Sequence, residues 1–130
     1  MTSNPEEKRG RPRETGRVLY DYELPNAPSK SIVALEVHYL PNGWTPPHTH
    51  AGAHVVATVT QGRVLSGMNG NQPQVYHVGE SFRELPGCHH TVSDNDSATE
   101  EATLVAVMVV DTEVVAKGYH ALTVLDDGWE

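Results

Sequence analysis

The sequence lacks the residues on which several common kinds of protein depend. It has one cysteine, Cys88, among 130 residues, so an internal disulfide framework and a tetrathiolate metal site are both excluded. Its longest apolar run, residues 104–110, is far shorter than the roughly 20 residues that cross a bilayer. Any metal must therefore be held by histidine or carboxylate side chains, and we expect no membrane partner.

Basic residues are also scarce. Nine Lys and Arg stand against seventeen Asp and Glu, which gives a formal net charge of −8. Binding to a phosphate backbone depends on Lys and Arg displacing counterions, so nucleic acid is not an expected partner. The exception is the string Arg9-Gly10-Arg11-Pro12, which resembles the core of an AT-hook, a segment that lays arginines in the minor groove of A·T-rich DNA.

The first sixteen residues differ in composition from the rest of the chain. They contain no Val, Ile, Leu, Phe, Tyr or Trp, so they cannot contribute to a core, and we expect residues 1–16 to be a disordered polar tail. This segment also lacks the apolar core of a secretory signal, and we therefore expect an intracellular, cytoplasmic protein. The remaining residues, 17–130, are predicted to form one domain.

From residue 17 onward, short apolar runs alternate with turn residues, and no stretch has the 3.6-residue periodicity of a long helix. Turns are indicated by Gly and Asn, and strands by alternation of apolar and polar side chains. The predicted strands are residues 18–22, 31–40, 55–61, 63–68, 74–78, 81–85, 90–93 and 103–110, with a further one at 122–125. So many short strands predict an all-β closed roll or barrel.

Five of the eight histidines fall into two clusters, residues 48–54 and residues 89–90. In an extended chain positions i and i+2 face the same side, so His48 and His50 can direct both imidazoles at one point. His54 follows a small-residue turn that can fold back toward the same centre. Ligands from two separate stretches of chain predict a metal site inside the barrel.

The two histidine clusters lie in motifs that resemble those of the cupin superfamily. The first family motif is G-x5-H-x-H-x3,4-E-x6-G, and this chain reads Gly43-x4-His48-x-His50-x3-His54-x7-Gly62. The second is G-x5-P-x-G-x2-H-x3-N, and this chain reads Gly79-x5-Leu85-Pro86-Gly87-x2-His90-x3-Asp94. The resemblance covers roughly residues 32–110 and implies a single-domain cupin-type double-stranded β-helix, which is a jelly-roll barrel.

Position by position, the resemblance implies four metal ligands: His48, His50, His54 and His90. His54 stands where the family has Glu, and the alternative fourth ligand is water. The extra residue before Gly62 predicts a β-bulge that changes which side chains of the preceding strand face inward. His89 and His90 are adjacent in a strand, so only one of them can ligate; the family spacing selects His90, and His89 is the alternative.

The resemblance implies a metal-dependent enzyme for a small-molecule substrate. Imidazole ligands suit Fe, Zn, Ni, Cu or Mn better than Mg or Ca, and four neutral ligands would leave the full charge of the ion to an enolic, phenolic or carboxylate substrate. Oxygenase chemistry of the dioxygenase type is the first expectation. The alternatives are a Lewis-acid lyase, isomerase, decarboxylase or cyclase, and a non-catalytic sensor that uses the AT-hook-like tail.

Two residues are candidate catalytic proton carriers, Glu84 on the strand before the second motif and Cys88 beside His90. The strand alternation predicts an apolar cavity lining, and Trp44 is placed either to shield the cavity mouth or to pack its loop. The predicted lining residues are Met68, Phe82, Val92, Leu104, Ala106 and Met108. The family resemblance also implies a homodimer, with residues 18–22 as a pairing element.

Overall fold

The computed structural model describes residue 8 and residues 10–129. From Thr15 onward, the described chain contains ten strands and two short helical segments. They are β1 (Thr15–Glu23), β2 (Lys30–Tyr39), β3 (His48–Thr49), β4 (His54–Gln61), β5 (Arg63–Met68), β6 (Gln74–His77), β7 (Ser81–Glu84), β8 (His90–Asn95), β9 (Ala102–Asp111), helix α1 (Thr112–Ala116), a 3-10 turn (Tyr119–Leu122) and β10 (Val124–Leu125).

The strands form two five-stranded sheets, in the orders β1-β2-β9-β4-β7 and β10-β3-β8-β5-β6. Every strand pair within them is antiparallel. The predicted all-β jelly-roll fold is therefore confirmed. No helix among the described residues is long and apolar enough to cross a membrane.

The core lies between the two sheets and follows the alternation of the sequence. On β4, the side chains of Val55, Ala57 and Val59 are at most 1% exposed, while Val56 between them is 39% exposed. β9 alternates in the same way, with Leu104, Ala106, Met108 and Val110 buried. One face of each strand thus packs into the interior, which is what a period-two apolar pattern predicts.

The predicted β-bulge before Gly62 is present. The register of β4 against β9 shifts between Val59 and Gln61, so the extra residue is absorbed at the far end of β4. Gly62 then turns the chain with φ +68°, and a Cβ atom there would lie 2.4 Å from the carbonyl oxygen of Glu101. The inward set of β4 before the bulge is unchanged, which matters for His54.

The N-terminal segment differs from the predicted tail in its described part. Residues 1–7 and Arg9 lie outside the described residues. The backbone N–H of Trp44 donates to the carbonyl of Pro12 at 3.0 Å, and that of Glu14 donates to the carbonyl of Trp44 at 3.1 Å. These hydrogen bonds hold residues 12–14 against the barrel, and β1 begins at Thr15 rather than at residue 18.

A buried ion pair adds to this attachment. The ammonium of Lys8 lies 2.8 Å from a carboxylate oxygen of Asp94, and the two side chains are 8% and 7% exposed. Lys8 also lies over the ring of Trp44, which is 2% exposed and contacts Trp129 edge to face. Charge pairing and aromatic packing, which composition alone does not reveal, thus order part of a polar segment.

Candidate metal centre

Four ligand-type side chains converge between the sheets. His48 is on β3, His50 follows β3, Glu84 ends β7 and His90 begins β8. One donor atom of each lies within 4.8 Å of the others. One sheet brings the three histidines together, since His48 and His90 are direct cross-strand partners and the i, i+2 spacing puts His50 beside His48. Glu84 comes from β7 of the opposite sheet.

Backbone carbonyls fix the orientation of two rings. His48 donates from Nδ1 to the carbonyl of Pro46 at 2.7 Å, and His50 donates from Nδ1 to the carbonyl of Leu122 at 2.9 Å. A carbonyl can only accept, so both Nδ1 atoms carry hydrogen and the Nε2 atoms are left for the centre. These Nε2 atoms are 3.1 Å apart. Two neutral rings would place lone pair against lone pair there, and a cation between them removes that conflict.

The other two donors, Glu84 and His90, also favour a bound cation. Glu84 Oε1 lies 3.1 Å from His90 Nδ1 and 3.3 Å from His50 Nε2. Both Glu84 Oε1 and His90 Nδ1 are buried, and neither has a hydrogen bond of acceptable geometry within the described part of the chain. The far side of the His90 ring is held by Ser66, whose Oγ is 2.8 Å from Nε2. Buried polar atoms without a partner are rare in folded proteins, and a metal ion would satisfy both.

The electrostatics of the centre follow from burial and from the single carboxylate. Burial, helped by the neighbouring His90 and His50, lowers the pKa of His48 to about 3, so this ring is neutral near pH 7. Burial acts to raise the pKa of Glu84, but its contacts with His50 and His90 outweigh burial and hold that pKa well below its usual range. Burial acts to lower the pKa of His50, and the contact and charge of Glu84 reverse this and raise it.

The structure does not bring His54 into the group, and this corrects the predicted ligand set. His54 directly precedes Val55, which faces the interior, so the alternation of β4 turns His54 to the outer face beside Val109. The fourth donor is Glu84, which pairs across strands with Val55. The carboxylate that the family motif places near position 54 is therefore supplied by the neighbouring strand.

The two predicted proton carriers also have different surroundings from those expected. Glu84 is one of the four converging donors and is not a separate acid. Cys88 is partly buried, and burial, with the charge of Glu84, raises the pKa of its thiol. Cys88 is not among the described residues that line the cavity. The alternative ligand His89 lies outside the group, with Nε2 3.0 Å from the carboxylate of Asp126.

The four donors open onto a cavity of about 70 Å³. Four of the six predicted lining residues line it, namely Phe82, Leu104, Ala106 and Met108, whereas Met68 and Val92 do not. The remaining lining side chains include apolar Leu35, Val37 and Ala57 and polar Glu14, Tyr39, Thr45, Ser93 and Thr123. Trp44 packs its loop and is not part of the lining. The centre therefore faces a small, largely apolar chamber.

Sequence reasoning missed Glu14. It lies just before β1, in the segment assigned to the tail, and its carboxylate is close enough to raise the pKa of Tyr39 slightly, in addition to the larger effect of burial. No sequence signal distinguishes Glu14 from Glu6 or Glu7. The contacts of the segment with the barrel, and not its composition, bring it to the cavity.

Comparison with known proteins agrees with this architecture. A family model described as a cupin domain matches residues 35–109. Germin-like protein 4-1 from Oryza sativa subsp. japonica is 42% identical over 52 residues, which are 39% of this chain and 20% of that protein. The match thus spans only about a fifth of the curated relative.

Solved structures share the fold. A cupin domain from Bordetella pertussis Tohama I is 25% identical with a TM-score of 0.58, covering 76% of this chain and 95% of that one. The cupin domain of Schizosaccharomyces pombe Cnp3 is 16% identical with a TM-score of 0.64, covering 80% and 66%. Oxalate oxidase in complex with the substrate analogue glycolate is 23% identical with a TM-score of 0.52, covering 81% and 59%. At 16% and 23% identity, the likeness shows the fold alone.

Proposed function

The chain belongs to the cupin family, and from this premise we propose that it is a metal-dependent enzyme acting on a small organic molecule in its barrel cavity. The observation that carries the proposal is the convergence of His48, His50, Glu84 and His90 at a cavity wall. Two buried atoms of this group, Glu84 Oε1 and His90 Nδ1, have no hydrogen-bond partner among the residues that the structure describes. Three imidazole nitrogens and one carboxylate oxygen suit Fe, Mn, Ni, Cu or Zn.

The carboxylate changes the charge argument made for four histidines. Three neutral imidazoles and one carboxylate leave one net positive charge on a divalent ion, which still favours an oxygen anion over a neutral ligand. A bound ion would supply Lewis acidity toward a substrate oxygen and, with Fe, Cu or Mn, redox chemistry with dioxygen. Enolic, phenolic or carboxylate-bearing compounds are therefore the proposed substrates, and oxygenase chemistry is the first candidate.

The residues of this chain have separable roles in such a reaction. The carbonyls of Pro46 and Leu122 and the hydroxyl of Ser66 orient the three rings. The apolar lining excludes water and strengthens electrostatic interactions near the donors. Among the described lining residues, Glu14 is the one carboxylate outside the donor group, so it replaces Glu84 as our candidate for proton transfer.

Lewis-acid catalysis without redox change, such as lyase, isomerase, decarboxylase or cyclase chemistry, is the second candidate, because the same donors serve it equally. The sensor hypothesis is less favoured. Arg11 donates to the carbonyl of Asn42 at 2.7 Å, and Pro12 accepts from Trp44, so the AT-hook-like string is engaged with the barrel in its described part.

Metal-free protein loaded separately with Fe(II), Mn(II), Cu(II), Ni(II) or Zn(II) tests the proposal. Each form is incubated with a panel of small enols, catechols and carboxylates, and oxygen uptake and product formation are recorded in air and under nitrogen. Turnover that requires oxygen supports the oxygenase, and turnover under nitrogen with Zn(II) supports the Lewis-acid enzyme. Metal-loaded protein that turns over no member of the panel contradicts the enzyme proposal.

A further inference from the structure

A chain of three hydroxyl groups lies in the wall of the same cavity. The hydroxyl of Tyr39 is 2.8 Å from Oγ of Ser93 and 3.0 Å from Oγ1 of Thr45. Tyr39 is 1%, Ser93 4% and Thr45 6% exposed, and all three residues line the cavity. The cavity therefore has a second polar site in addition to the four metal-ligand donors.

The geometry of β8 separates these two sites within one chamber. Ser93 follows His90 by three residues, which is on the order of 10 Å along a strand. Three residues would normally place the two side chains on opposite faces, but the register of β5 against β8 shifts between Gly67 and Met68. This bulge gives Ser93 and His90 the same face, and both line the cavity.

The hydroxyl chain has one more O–H donor than its internal hydrogen bonds use. Each hydroxyl has one hydrogen to donate, so Tyr39, Thr45 and Ser93 carry three between them. The two hydrogen bonds within the chain use two of these hydrogens. Among the described residues, Ser93 and Thr45 make no further side-chain hydrogen bond. One O–H group is therefore uncommitted in a buried wall, where a ligand acceptor would satisfy it.

Glu14 provides the complementary acceptor. Glu14 lines the cavity, and its backbone N–H donates to the carbonyl of Trp44, the residue before Thr45, at 3.1 Å. Glu14 therefore lies on the hydroxyl side of the chamber. Its side chain is 23% exposed and contacts Nε of Arg13 at 3.0 Å through Oε1. A carboxylate here attracts a hydrogen-bond donor and repels a second anion.

We propose that the hydroxyl chain of Tyr39, Ser93 and Thr45, together with Glu14, binds the alcohol group of a small hydroxycarboxylate whose carboxylate end faces the metal-ligand donors. An alcohol both accepts a hydrogen bond and donates one, which matches the spare O–H and the Glu14 carboxylate. A dicarboxylate of the same length has no hydrogen-bond donor at that end, and its second carboxylate is repelled by the negative charge of Glu14. This inference rests on the proposed metal function and narrows its substrate class.

Binding to Zn(II)-loaded protein, measured by calorimetry, tests this subsite without requiring turnover. The probes are matched in length: 3-hydroxypropionate, malonate and propionate, and then 4-hydroxybutyrate, succinate and butyrate. In at least one set, the hydroxy acid is expected to bind about fivefold more tightly than both of its partners, because one satisfied hydrogen bond has about that effect.

Three variants separate the roles of these groups. Ser93→Ala and Tyr39→Phe are each expected to reduce the ratio of the affinity for the hydroxy acid to that for the monocarboxylate about fivefold. Glu14→Gln is expected to reduce the ratio of the affinity for the hydroxy acid to that for the dicarboxylate by about the same factor. Glu100→Gln, which makes the same change of charge at an exposed position, is the matched control and should leave both ratios unchanged. Zinc content and circular dichroism are recorded for every variant.

The outcomes distinguish this inference from the proposal on which it rests. Equal binding of the three probes in both sets, or wild-type ratios in all three variants, with zinc bound stoichiometrically, overturns the subsite and leaves the metal site standing. Wild-type protein that binds no metal overturns both.

Discussion

At the residue scale, Asp94 stands where the second cupin motif has asparagine, and the structure gives a reason. Its carboxylate accepts from Lys8 at 3.0 and 2.8 Å in a pair that is almost completely buried. An uncharged asparagine would leave the Lys8 ammonium buried without a counter-ion. The departure from the motif at Asp94 is thus coupled to Lys8, which is 86 positions away in the chain. Lys8 lies in a segment whose composition is typical of disordered regions.

Lys8→Met is therefore expected to destabilise the protein. Removing one partner leaves Asp94 charged and buried, which costs about 3 kcal/mol in the free energy of unfolding. The double variant Lys8→Met with Asp94→Asn should recover most of the loss, because no unpaired charge remains. Chemical denaturation measures both, with Lys30→Met, whose partner Asp111 is exposed, as the control expected to cost less than about 1 kcal/mol. A loss in Lys8→Met no larger than in that control would contradict the account.

We expect Tyr39 to make the protein less stable in alkaline solution. Burial raises the pKa of Tyr39 far above its ordinary value, against the opposing hydrogen bonds of Ser93 and Thr45. Above about pH 10 the unfolded chain loses this proton and the native chain keeps it. Because the native state then binds more protons, the contribution of Tyr39 to stability is complete below pH 10 and falls as the pH rises.

In Tyr39→Phe, the free energy of unfolding should fall less steeply as the pH rises. The substitution also removes the hydrogen bonds of the hydroxyl group, which lowers the free energy of unfolding near pH 7 by about 1 kcal/mol. The free energy of unfolding measured from pH 8 to pH 11 tests the prediction. Tyr22→Phe, at a side chain that is 64% exposed, should retain the slope of the wild type. Equal slopes in all three proteins would show that Tyr39 does not titrate as described.

The candidate site shows what residue-level sequence reasoning can recover. His48, His50 and His90 follow from a period of two and from motif spacing, which are local properties. The replacement of His54 by Glu84 in the ligand group does not follow from local properties. It depends on which strand lies beside β4 and on which face of the sheet Val55 occupies. Cross-strand neighbours are set by topology, and a single sequence does not specify the topology of a two-sheet roll.

At the element scale, the long alternating strands were predicted within a few residues, since each has one buried and one exposed face. β3 was missed because two residues after Pro46 and Pro47 carry no periodicity. Helix α1 was missed for a similar reason, since it has five residues and no buried side chain. Elements without an apolar face of their own are ordered by contacts with the rest of the barrel, which local patterns do not encode.

The β-bulge and Gly62 together form the end of β4, and substitution there is predicted to be costly. Gly62→Ala requires an L-residue at φ +68° and places its Cβ against the carbonyl of Glu101. At Gly79, φ is +87° and a Cβ atom would meet no described residue within 4 Å apart from its chain neighbours, so Gly79→Ala measures the backbone strain alone. We expect Gly62→Ala to lower the free energy of unfolding by about 1–3 kcal/mol more than Gly79→Ala does. Equal losses in thermal or chemical denaturation would mean that the close approach to Glu101 is relieved at no cost.

At the scale of the whole molecule, homodimer formation remains a prediction. β1 is an edge strand of its sheet, and the exposed side chains of Tyr22 and Leu19 lie on it. Unpaired edges with apolar side chains are natural sites of association. Light scattering after size exclusion should give twice the mass of the 14.2 kDa chain, and Leu19→Lys should shift the measured mass toward that of the monomer. A wild-type monomer at all concentrations would contradict the prediction.

The central claim is that one divalent ion is held by His48, His50, Glu84 and His90, and that His54 takes no part. Elemental analysis of purified protein, after loading and removal of free metal, tests it most directly. The account predicts about one ion per chain in the wild type and in His54→Ala, and loss of most of it in His48→Ala, His50→Ala, His90→Ala and Glu84→Ala. Metal that is lost in His54→Ala and retained in Glu84→Ala, or a wild type that binds none, would contradict it.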